Sequence, residues 1–167
     1  MFSRRSLAVP SAPAVVDSGV RLNYSKLEPR IVLDASFTFA GGLLTLDGFT
    51  GAGEGLSISE GGGNTFVFTL ATGTWTGVNG GGVSGNTLSQ LTANRAQVDG
   101  LRIDDSLGID FDIEFTTAVN FSLLSQDLNG DLINGDLQII GVGSITQTVG
   151  SDVTVATLDA SANSITL

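Results

Sequence analysis

Three carboxylates, Asp110, Asp112 and Glu114, recur at every second position of one stretch. In an extended chain alternate side chains share a face, which sets neighbours in this trio roughly 7 Å apart. That separation is compatible with the paired acids of glycoside hydrolysis. The rest of a proton-transfer site is missing. The chain has no histidine and no cysteine, its last lysine is Lys26, and Arg95 and Arg102 are the only cations beyond residue 30. A lyase-type base is hard to assemble from these residues, so the trio reads first as a solvated strand face. Its charge would discourage sheet-to-sheet association.

A second group of oxygens is Asp127, Asn129 and Asp131, at positions 1, 3 and 5 of an EF-hand-like loop. Leu132 stands where that loop has its glycine, and Gln138 where it has its bidentate glutamate. Turn chemistry is the competing reading. Asn129-Gly130-Asp131 and Asn134-Gly135-Asp136 are two successive Asn-Gly turns, ordinary uses of that dipeptide. No cofactor is required by the sequence, and calcium is the one it admits. Asp104-Asp105 needs nothing beyond a turn.

Other chemistries lack their residues. Without cysteine or histidine there is no thiolate nucleophile, no structural zinc site and no imidazole base. Gly61-Gly62-Gly63 and Gly80-Gly81-Gly82 do not lead into a helix carrying Lys and Ser/Thr, so they are not phosphate loops. No serine sits in a G-x-S-x-G elbow. Trp75 and Tyr24 read as core or turn packing.

Composition bounds the scaffold that must hold these groups. A chain of 167 residues fits one domain plus a tail, and would bury roughly 70% of its unfolded surface. The 41% hydrophobic content favours a folded body, and 23 glycines favour many tight turns. Charge is split along the chain. Residues 1–30 carry five bases against two acids, while the remainder carries 15 acids against two arginines. A body that acidic repels phosphate backbones and opposes nucleic-acid binding. No run of about 18 apolar residues occurs, so no transmembrane helix is expected.

All three prolines, Pro10, Pro13 and Pro29, fall in the first 30 residues. Residues 1–35 read as a basic leader, flexible over 1–23, and 36–167 as an acidic, glycine-rich β domain. Arg4-Arg5 and Ala12-Pro13-Ala14 imitate parts of a signal peptide, but the apolar run between them is too short for one. At the boundary, Leu27-Glu28-Pro29-Arg30-Ile31-Val32-Leu33 resembles the LEPR-x-L-L motif of very large bacterial surface proteins, notably those of planctomycetes. Val32 departs from the usual leucine. The resemblance implies an export or sorting signal, and export machinery as the partner of the leader. The competing reading is that Leu27, Ile31 and Leu33 pack as a first strand ending at Asp34.

Beyond the boundary the pattern is that of strands. Residues 36–39 and 43–46 flank Ala40-Gly41-Gly42 as a hairpin. Phe66, Phe68 and Leu70 share one face of residues 65–70, and 74–76 form a further strand before a loop over 77–86. Residues 88–98 are ambiguous and read as strand. Over 109–123 the odd positions Ile109, Phe111, Ile113, Phe115, Val119, Phe121 and Leu123 are apolar, which predicts one buried face. A bend is expected near 116–118, because the stretch exceeds an ordinary strand.

Strands are expected at 137–142, 145–149, 153–158 and 165–167, with a turn at Asp159-Ala160-Ser161-Ala162-Asn163. Ser144-Ile145-Thr146 recurs as Ser164-Ile165-Thr166 twenty residues on, an offset that fits one coil of a parallel β-helix. Residues 136–167 also resemble the repeats of filamentous-haemagglutinin-like exoproteins.

The expected fold is all-β: a right-handed parallel β-helix or solenoid-like segment behind the leader, with an antiparallel β-sandwich as the alternative. The expected function is a non-enzymatic, structural or adhesion-type protein, secreted or on the cell surface, meeting surface or matrix polymers. The alternatives are a carbohydrate-active β-helix enzyme using the Asp110–Glu114 acids, or a calcium-dependent binding module. Ser164-Ile165-Thr166-Leu167 end in mid-strand, so the chain is expected to be a piece or short relative of a longer repeat protein, or one whose end a partner covers.

Overall fold

Period-two patterning and glycine turns give strands, and strands are what form. The computed structural model describes residues 34–50, 55–105 and 111–167. The sorting motif over 27–33, the rest of the leader, Ile109 and Asp110 lie outside them. There is no α-helix among the described residues; a single 3-10 turn spans Arg95–Gln97.

The first four strands are β1 Asp34–Ala40, β2 Leu43–Asp47, β3 Gly55–Gly61 and β4 Thr65–Leu70. β1 and β2 form the expected hairpin. Its two-residue link, Gly41-Gly42, has φ of 57° and 82°, the left-handed pair that a type I′ turn requires. β3 and β4 form a second hairpin around Gly62-Gly63-Asn64. Phe66, Phe68 and Leu70 of β4 all point into the core, as their alternation predicts.

Next come β5 Thr74–Gly77, β6 Val83–Ser84, β7 Gln90–Asn94 and β8 Gly100–Asp104. The predicted loop over 77–86 thus contains a short strand, and the ambiguous stretch over 88–98 is a strand that runs into the 3-10 turn. The remaining strands are β9 Asp112–Phe115, β10 Val119–Asn120, β11 Asp136–Gln147, β12 Val153–Thr154 and β13 Thr157–Thr166. The break between β9 and β10 falls at the expected bend.

Pairing is mixed. β1–β2, β3–β4, β4–β7 and β6–β7 are antiparallel. β2–β8, β3–β9, β8–β11, β9–β11 and β11–β13 are parallel. Among the described residues of 36–167 the sheet is neither a wholly parallel coil nor a wholly antiparallel sandwich. Links of two or three residues can only return the chain antiparallel, whereas the long excursions before β8 and β11 can bring strands back parallel.

The parallel part is a four-level stack with side-chain ladders. Leu44, Leu101, Leu137 and Leu158 lie level by level in register. So do Leu56, Ile113, Ile145 and Ile165. These apolar columns face the core, and the first three members of each are fully buried. Ser144-Ile145-Thr146 pairs residue for residue with Ser164-Ile165-Thr166, so the sequence repeat is one step of the stack.

Aromatic rings fill the rest of the interior. Phe49 stacks on Phe111 with centroids 3.9 Å apart, and Trp75 meets Phe49 edge-on at 6.1 Å. Phe66 stacks on Phe121 at 4.9 Å. Burying such a side chain contributes about 1.5–3 kcal/mol. The buried Trp75 Nε1–H donates to the Phe68 carbonyl at 3.3 Å, which satisfies its one polar atom.

Two expectations fail locally. Leu123 was predicted to face inward but is 50% exposed, while Leu124 is buried. A turn closed by Leu124 N–H donating to the Phe121 carbonyl at 3.0 Å shifts the phase by one residue. Residues 159–163, predicted as a turn, lie inside β13. Pairing with β11 overrides their turn propensity, and the irregularity appears instead on β11 between Ile139 and Val142, where Gly141 has φ of 73°.

Candidate functional site

The excursion between β10 and β11 is pinched at its base. Gly135 and Asp136 N–H donate to the Gln126 carbonyl at 3.0 and 3.2 Å, and Ser125 and Gln126 N–H donate to the Asp99 carbonyl at 2.7 and 2.9 Å. Short polar side chains then organise the tip. Asp127 accepts from Gly130 N–H at 2.6 Å and Leu132 N–H at 2.9 Å. Asn129 Oδ1 accepts from Asp131 N–H at 2.9 Å, and Asp131 Oδ1 from Ile133 N–H at 2.7 Å. Such local acceptors replace the ladder bonds that a loop lacks.

Asp136, the first residue of β11, closes the loop from below. It is fully buried. Its Oδ2 accepts from Leu128 N–H at 2.8 Å, while its Oδ1 is enclosed with no hydrogen-bond partner. One carboxylate oxygen each from Asp127, Asp131 and Asp136 lies within 4.8 Å of the others.

The sequence-selected Asp127 and Asp131 therefore meet, with Asn129 Nδ2–H donating to Asp131 Oδ2 at 3.3 Å, and a third acid, Asp136, joins them. Asn129 spends its carbonyl on the backbone of Asp131. Asp136 was missed because Asn134-Gly135-Asp136 reads as a turn in its own right. Its signal was its place as the last acid before the apolar run of β11. Leu132 adopts φ of 70°, the left-handed conformation that glycine would take at that position. Gln138, which stands where the EF-hand alignment has its bidentate glutamate, is turned to a neighbouring strand. Its Nε2–H donates to Asp159 of β13 at 2.9 Å.

The acidic strand face is a separate place. Asp112 and Glu114 of β9 are both exposed. Asp112 accepts from Ser144 Oγ at 2.6 Å, and Glu114 from Thr148 Oγ1 at 2.7 Å. With Ser57, Thr69, Ser144 and Thr146 they line an open groove of about 390 Å³.

Arg95, one of the body's two arginines, serves the core. Its guanidinium pairs with Glu60, donates to the Asn120 carbonyl at 2.5 Å and lies 5.4 Å from the Phe66 ring centroid. No helix among the described residues is long and apolar enough to cross a membrane.

The chain matches no family model, no curated protein and no solved structure.

Proposed function

We propose that this chain is a non-enzymatic structural or adhesion-type module of a secreted or cell-surface protein, its parallel levels acting as coils of a right-handed β-solenoid. The observation that carries this reading is the pairing of Ser144-Ile145-Thr146 with Ser164-Ile165-Thr166. A repeat whose period equals one step of the stack is how elongated scaffolds grow, each level burying the apolar column of the one before. Outside, the same stack presents columns of small polar and acidic groups, such as Ser57, Glu114, Thr146 and Thr166. Those suit contact with surface or matrix polymers. The LEPR-x-L-L-like motif over 27–33 supplies the route, by engaging export machinery.

Cell fractionation with N-terminal sequencing tests this. The expected result is recovery in the medium or at the cell surface. Recovery only in the cytosol, with Met1 intact, overturns it.

A second reading rests on the groove beside Asp112 and Glu114, two acids among hydroxyls on an exposed face. A carbohydrate-active enzyme there would turn over a polysaccharide, and Asp112→Asn or Glu114→Gln would abolish that turnover. No turnover across a broad glycan panel removes this second reading.

A further inference from the structure

We infer that the loop from Asp127 to Asp136 is a calcium site, with one carboxylate oxygen each from Asp127, Asp131 and Asp136 as its protein core. The three oxygens lie within 4.8 Å of one another. Three ligands spread evenly around one calcium ion at about 2.3–2.6 Å lie about 4.0–4.5 Å from one another, so shifts of a few tenths of an ångström bring all three oxygens onto one ion. Three like charges gathered this closely repel one another. No arginine or lysine is in ion-pair contact with them among the described residues.

The buried member gives an independent indication. Asp136 is fully enclosed, and its Oδ1 has no donor. Taking a carboxylate oxygen out of water without a partner is unfavourable, and a divalent cation at the adjoining oxygens would offset that. The loop's backbone N–H groups already hold Asp127 and Asp131 in place, so little ordering remains to be done on binding. Three acids suit calcium, whose oxygen shell tolerates irregular geometry. Magnesium demands near-ideal octahedral geometry and gives up its water reluctantly.

The site is independent of the proposed structural role. The test uses the full chain, treated with a chelator and then titrated with calcium chloride by calorimetry, with magnesium chloride as comparison. The expected result is one saturable calcium per chain, with a Kd of about 10⁻⁴ M or tighter, and a Tm that rises with calcium. Asp127→Asn and Asp131→Asn should each weaken binding at least tenfold. Asp112→Asn on the separate acidic face should leave it unchanged. Asp136 is buried and its substitution risks the fold, so the exposed Asp131 decides, with circular dichroism confirming that the variant is folded. Absence of saturable calcium uptake, uptake indifferent to Asp127→Asn and Asp131→Asn, or equal affinity for magnesium overturns the assignment.

Discussion

Ser144 of β11 and Ser164 of β13 are direct neighbours across a parallel ladder, twenty residues apart in the chain. Adjacent strands lie about 4.8 Å apart. Parallel neighbours in register also point their side chains to the same face.

A disulfide tests that register in solution. Its two Cα atoms must lie about 4.4–6.8 Å apart, and this chain has no native cysteine to interfere. Ser144→Cys with Ser164→Cys should oxidise to one intramolecular disulfide that retains the native circular dichroism. A register shifted by one residue would turn the two side chains to opposite faces and leave both thiols free to alkylating reagent.

Phe121 closes the interior against Phe66 and, edge-on at 6.2 Å, against Phe115. Phe121→Ala removes a fully buried ring. Stability in urea should fall by about 3–5 kcal/mol. Exposed Leu123, two residues on, should tolerate alanine within about 0.5 kcal/mol. Equal costs at the two positions would mean that the phase change after Phe121 is wrong.

The pair formed by Arg95 and Glu60 is lopsided. The Arg95 side chain is 8% exposed and that of Glu60 34%. Removing the acid strands an enclosed cation, whereas removing the cation leaves an acid that water can reach. Glu60→Ala should therefore cost more, about 2 kcal/mol or above, than Arg95→Met, which keeps an apolar stem over Phe66. The reverse order in chemical denaturation would contradict this account.

Two backbone positions of the acidic loop should respond in opposite directions. Gly135 has φ of 99°, and a Cβ there would meet the Ala156 Cβ at 2.9 Å and the Leu124 carbonyl oxygen at 3.1 Å. Gly135→Ala should destabilise by about 1–3 kcal/mol. Leu132 holds φ of 70° while 91% exposed, so it endures left-handed strain without burial in return. Leu132→Gly should stabilise by about 0.5–1 kcal/mol. Thermal and urea unfolding of both variants would show a common sign if the loop were not held as described.

Local chemistry was written in the sequence. Alternation from Phe111 to Phe121 marked the buried face, because strand side chains alternate whatever the strand's neighbours are. Gly41-Gly42 marked a hairpin, because few residues other than glycine accept two left-handed positions in a row. The Ser-Ile-Thr repeat marked one step of the stack. What the chain could not declare was which strand lies beside which.

Parallel and antiparallel ladders use the same alternating residues, so the mixture emerged only from the assembled sheet. Residues 159–163 have turn composition yet lie in β13, since pairing with β11 outweighs weak local preference. Asp136 joined Asp127 and Asp131 only when the loop's base closed on Gln126. Proximity across a loop depends on how its ends are fastened, and spacing along the chain does not encode that.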